Sequence, residues 1–108
     1  MEILEWFEEW FRSQCDGEWE HDNRIKIETL DNPGWDVWIN FGYSQLSLED
    51  YEWKLFEKSE DNWVGISIKD NVFHASGDAK KLRIILTIFR KIIEGKGVNE
   101  YDIQNIII

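Results

Sequence analysis

The chain has 108 residues, 43% hydrophobic and 15% aromatic, with 22 acidic against 12 basic side chains and a formal net charge of -10. That length and the 7 Trp, 6 Phe and 3 Tyr fit one globular domain over residues 1–108, and exclude a two-domain protein or a disordered acidic tail. A sequence pI near 4.5 argues against nucleic acid, whose affinity is built from Lys and Arg, and favours a basic protein as partner.

Residues 2–14 place Ile3, Trp6, Phe7, Trp10 and Phe11 at the i, i+3, i+4, i+7, i+8 spacing of one helical face. Glu2 and Glu5 favour the positive end of the helix dipole, Glu8 stands four residues before Arg12, and Gly17 is the expected stop.

From 18 to 77 the period switches to two. Ile25, Ile27 and Thr29 alternate with Lys26 and Glu28, and Asn32-Pro33-Gly34-Trp35 predicts a type II turn with Gly34 at the positive-φ position. Trp35, Val37, Ile39 and Phe41 then point one way while Asp36, Trp38 and Asn40 point the other, which predicts a hairpin. A polar loop at 42–50 follows, then strands over 51–58, 63–69 and 72–76 that meander through turns at Asp61-Asn62 and Asp70-Asn71.

Residues 78–94 predict a second helix, with Asp78 as N-cap, an apolar face of Leu82, Ile85, Leu86, Phe89, Ile92 and Ile93, and Gly95 as stop. This helix is basic: residues 78–97 carry six bases against two acids, whereas residues 1–77 carry 18 acids against 6 bases. The tail, 98–108, ends in Ile106-Ile107-Ile108 and is too apolar to hang free, so it adds an edge strand or packs on a helix.

No apolar run approaches the roughly 20 residues that span a bilayer, and glutamates interrupt the start where a secretory core would lie. With Cys15 as its lone cysteine the chain reads as a cytoplasmic protein without a disulfide framework, metal or cofactor. No nucleophile elbow, phosphate-cradling loop, HExxH or CxxC occurs. The dense polar cluster is Asp16, Glu18, Trp19, Glu20, His21 and Asp22, where Glu18, Glu20 and Asp22 would share one side of an extended chain. It reads as a solvated acidic junction, as a partner surface, or as a hard-cation site with His21 and Cys15 nearby. His74, between Phe73 and Ala75, reads as a hydrogen-bonded strand residue. Trp6, Trp10 and Trp35 read as core, but Trp38 shares its face with Asp36 and Asn40, and is either covered by a helix or exposed.

The stretch from Ser13 to Phe41, with "CDGEWEH" and "TLDNPGW" after an aromatic-rich helix, resembles the immunity protein 53 family of bacterial polymorphic toxin systems. The resemblance extends more loosely to about residue 93, with Ser76-Gly77-Asp78-Ala79 where the family commonly has a Gly-Gly-Pro-like helix start. It implies a cytoplasmic antidote that occludes a cognate toxin domain without turnover. The motif residues it carries over are Cys15, Asp16, Gly17, Trp19, Glu20, His21 and the run Leu30 to Trp35.

The expectation is therefore an α+β domain, an antiparallel sheet of about five strands with an N-terminal and a C-terminal helix packed on it. The expected partner surface holds Asp16, Glu18, Trp19, Glu20, His21, Asp22, Asp36 and Trp38, facing a basic toxin domain, with no nucleic acid or membrane involved. The alternatives are a small metal-dependent enzyme built on the Glu18 to Asp22 cluster, and a homodimeric structural module held by Trp38 or the Ile-rich tail.

Overall fold

The computed structural model describes residues 1–42 and 47–107. Residues 43–46, within the polar loop expected at 42–50, and Ile108 of the apolar tail lie outside the described residues. The order is α1 (Ile3–Gln14), α2 (Trp19–Asp22), β1 (Ile25–Leu30), β2 (Gly34–Asn40), β3 (Tyr51–Ser59), β4 (Asn62–Lys69), β5 (Val72–Asp78), α3 (Leu82–Gly95) and α4 (Glu100–Ile106). It is an α+β arrangement with a five-stranded antiparallel sheet.

The five expected strands are present, but the sheet order is β1-β2-β5-β4-β3. The hairpins β1–β2, β3–β4 and β4–β5 are local, while β2 pairs with β5, so the 41–50 connection carries the chain from mid-sheet to the far edge. The β4–β5 turn anchors that crossing. Asp70 and Asn71 both take positive φ, 51° and 62°, as a two-residue turn matched to the strand twist requires, and Asp and Asn tolerate it. The Asn71 carbonyl accepts from the Phe41 amide at 3.0 Å, and its side chain from the Leu48 amide at 3.5 Å.

Gly34 has a different reason for its place than the expected type II turn. The left-handed glycines among the described residues are Gly17 and Gly42, not Gly34. At Gly34 a Cβ would collide with the Gly77 carbonyl across the β2–β5 pair, so packing against the neighbouring backbone demands the glycine.

Alternation sorts the sheet into two faces. Val37, Ile39, Val64, Ile66, Ile68, Phe73 and Ala75 line one face, essentially free of solvent, and α3 lays Ile85, Ile88, Phe89 and Ile92 on it. Phe89 is the meeting point of helices and sheet: its ring packs edge-on against Phe7 and Trp10 of α1 and lies 5.3 Å from Phe73. A truncation there to Ala opens a cavity costing about 3–5 kcal/mol.

Three helix boundaries differ from expectation. Asp78 does not cap α3, which starts at Leu82; its carboxylate accepts from the Trp63 and Lys80 amides and pairs with the buried Lys81 at 2.7 Å. A left-handed Lys96, φ 59°, ends α3 instead of Gly95. Residues 19–22 form a helical turn, so Glu18, Glu20 and Asp22 do not share one side of an extended chain. The tail resolves into α4, capped by Asn99, which buries Ile103 and Ile107 and holds β3 through Glu100, bonded to Tyr51 Oη at 2.6 Å and Lys54 Nζ at 2.9 Å. Among the described residues no helix is long and apolar enough to cross a membrane.

Candidate functional site

The opposite face of the sheet carries no helix among the described residues, and aromatic side chains gather at its centre. The register sets Trp38 of β2 beside His74 of β5, with Ser67 of β4 next, and Asp36 beside Ser76 and Gly65. The indole of Trp38 stacks on the His74 imidazole, centroids 3.7 Å apart and planes within 10°. From the β3 side Trp53 approaches the same imidazole at 5.3 Å. Trp38, Trp53 and Leu55 are 38%, 47% and 48% exposed, far more than side chains of their size in a core.

Asp36 fixes this platform from beneath. It accepts from Trp38 Nε1 at 2.8 Å, from His74 Nε2 at 2.7 Å and from Ser76 Oγ. Burial alone would push its carboxyl up, but the bonds from Ser76, His74 and Trp38 outweigh that and hold it below the ordinary 3.8. With Asp36 ionised, Nε2 of His74 carries the proton. The residue types are those of a hydrolytic triad, but Ser76 donates to the carboxylate and not to the histidine, so the imidazole is not placed as general base on the hydroxyl. The network orients rings.

The junction after α1 is built differently. Asp16 Oδ1 accepts from the Glu18 and Trp19 amides at 2.9 and 2.8 Å, and Glu20 folds back onto the Asp16 and Gly17 amides at 3.0 and 3.1 Å. The Trp19 and Glu18 amides hold the Asp16 carboxyl below its ordinary value against burial, and that of Glu20 is held down first by its own backbone amide, against burial, with the Gly17 and Asp16 amides adding to it. Trp19 is core, 6% exposed, edge-on to Trp10, its Nε1 donating to the Phe41 carbonyl at 3.1 Å. Cys15 sits half-buried, its thiol pushed up by burial and then by Glu20 and Asp16. Glu18, His21 and Asp22 remain exposed. Between α1, α2 and β1 runs an open groove of about 600 Å³, floored by Phe7, Phe11 and Ile25 and walled by Glu8, Glu20 and His21. Among the described residues no three His, Cys, Asp or Glu side chains converge as metal ligands.

The structure thus divides the expected surface. Asp36 and Trp38 come together on the bare sheet face, with Trp53, Leu55, His74 and Ser76 added. Asp16, Glu18, Trp19, Glu20, His21 and Asp22 cluster at the helix-side junction, and there Asp16, Trp19 and Glu20 are engaged in the fold. The charged side chains that alternation puts on the bare face are mixed, Lys26 and Lys69 with Glu28, Asp36 and Glu57. Three basic residues at and within α3 are tied intramolecularly, Lys81 before its first turn to Asp78, Arg83 to Glu2 at 3.8 Å and Arg90 to Glu94 at 3.3 Å.

A family model described as immunity protein 53 matches residues 4–94. The chain belongs to the immunity protein 53 family. The match runs from α1 to within a residue of the end of α3, so both the bare sheet face and the junction lie inside it, while α4 lies outside. No curated protein and no solved structure matches. Membership in the immunity protein 53 family makes a toxin the expected partner.

Proposed function

We infer that this chain is a cytoplasmic antidote that neutralises a cognate polymorphic toxin domain by stoichiometric occlusion, with no turnover, and that the bare sheet face is the contact surface. One observation carries the reading: Trp38, His74, Trp53 and Leu55 form a solvent-facing platform on the sheet face opposite the one that α3 covers. Interface energy concentrates in such pre-oriented aromatic anchors, above all Trp, ringed by polar groups that exclude water. Asp36 keeps Trp38 in one rotamer before the partner arrives, which lowers the ordering cost of binding.

The exposed acids at the junction, Glu18 and Asp22 with His21 between them, support a second, electrostatic contribution. They draw in a basic toxin domain and raise its association rate without supplying most of the affinity. The test is co-purification with the toxin domain encoded beside this chain, followed by titration of single variants. Trp38→Ala and Trp53→Ala should each weaken the complex by about 2 kcal/mol or more, mainly by faster dissociation. Full affinity in both variants would move the contact surface elsewhere.

A further inference from the structure

Outside the platform, the feature that asks for a partner is the free edge of β1. The other sheet edge is guarded. Strand β3 is broken by register irregularities at Tyr51/Lys54 and at Glu57/Ser59, and α4 is tied to it through Glu100. Among the described residues strand β1 has neither protection: its pairing with β2 is regular from Ile25 to Leu30, and residues 26–29 are all exposed.

The hydrogen-bond phase of the edge follows from one bond. Asn40 N donates to Arg24 O at 3.0 Å, and these two residues oppose each other one step beyond the Ile25–Ile39 pair. In an antiparallel ladder such bonds fall on alternate residues, so Lys26 and Glu28 turn their backbone groups to β2. Ile25, Ile27 and Thr29 therefore turn theirs outward.

We propose that two copies of this chain join through their β1 edges, antiparallel about Ile27, into one continuous sheet. In that register Ile27 meets its symmetry mate, Ile25 meets Thr29, and all three exchange backbone bonds in both directions. Lys26 then lies opposite Glu28 of the other copy, and Glu28 opposite its Lys26, at the closely spaced positions where opposite charges favour pairing. Within one chain the two already approach at 3.5 Å on the exposed face, so they are positioned to re-pair across the seam. On the helix side, the 41% exposed Ile27 meets its mate next to the groove that Phe11 and Ile25 line. A self-complementary charge order on a regular, unguarded edge selects a second copy over an arbitrary strand. The two-fold axis stands perpendicular to the sheet, so both aromatic platforms face the same way and remain free. The inference does not depend on what the platform binds.

The test is the mass of the intact chain by light scattering after gel filtration over a range of concentrations. The expected result is a species of twice 13.0 kDa at high concentration, with the Ile25, Ile27 and Thr29 amides protected from hydrogen exchange in that species. Lys26→Glu and Glu28→Lys should each weaken dimerisation roughly tenfold, because each creates two like-charge pairs at the seam, while the double exchange should restore it. A mass of 13.0 kDa throughout overturns the proposal. So does a dimer indifferent to the single exchanges, a double variant that stays monomeric while its circular dichroism is unchanged, or edge protection that develops only when a toxin domain is added.

Discussion

The indole of Trp53 lies so close over the backbone of Gly65 that a Cβ there would overlap its ring. The glycine is a seat. It lets an indole from an edge strand lie down across β4 and reach His74 in β5, which completes the platform. Gly65→Ala should therefore lift Trp53 off the sheet, destabilise the fold by about 1–3 kcal/mol through overpacking, and weaken toxin binding by a larger margin than that loss alone explains. Tryptophan fluorescence and a binding titration on the folded variant read the two effects separately.

Asp36 ties the platform to pH. Its folded value lies below the ordinary 3.8, so the stability it contributes is complete above that range and is lost as pH falls through the folded value. Asp36→Asn should lower stability by about 1–3 kcal/mol near neutrality, as its three donors lose an ionised acceptor. The gap between the two proteins in urea unfolding should narrow as pH drops below 3.8. A gap that stays constant to low pH would falsify the assignment of Asp36 as the hub.

At the junction, the side chains that build and those that attract should separate by experiment. Asp16→Ala removes the acceptor of two turn amides and should lower Tm while leaving association rates unchanged in the folded fraction. The pair Glu18→Lys and Asp22→Lys should do the reverse, slowing association with a basic toxin and flattening its salt dependence with little effect on Tm. Stopped-flow association at two ionic strengths distinguishes them.

At the far edge of the sheet, Tyr51 has its hydroxyl on Glu100, and burial followed by that carboxylate pushes its value from 10.0 to about 12. The folded value is raised, so the contribution is whole below pH 10.0 and disappears as pH rises toward about 12. Tyr51→Phe should free the end of α4, seen as faster hydrogen exchange at residues 100–106, and should remove that alkaline loss of stability.

The strands and both long helices were legible in the order of residues because each carries a clean period, two in β1, β2 and β4, and 3.6 in α1 and α3. Pairing was not legible. The β2–β5 contact joins residues about forty apart, and nothing local in Trp38 announces His74. The bulge in β3 hid Trp53: unbroken alternation would group Tyr51, Trp53 and Leu55, whereas the irregularity sends Tyr51 to the core and the other two to the bare face. That Asp16 and Glu20 are bonded to backbone amides was not legible either, because a string of acids does not show which carboxylates fold back on the chain. The fold class and the shared strand face of Asp36 and Trp38 were within reach of the sequence; the ring stack and its glycine seat depend on the β2–β5 and β3–β4 pairings.

The β2–β5 pairing also sets a clock. The hairpin of β1 and β2 leaves the ribosome with Val37 and Ile39 uncovered, and their partners Ala75 and Phe73 come after nearly half the remaining chain, with Phe89 of α3 later still. Closing so distant a pair is slow compared with local helix and hairpin formation. Trp38 cannot stack until His74 has been synthesised and the central strands have zipped, so the platform is absent from every nascent fragment that ends before β5 and comes into being only as the sheet closes.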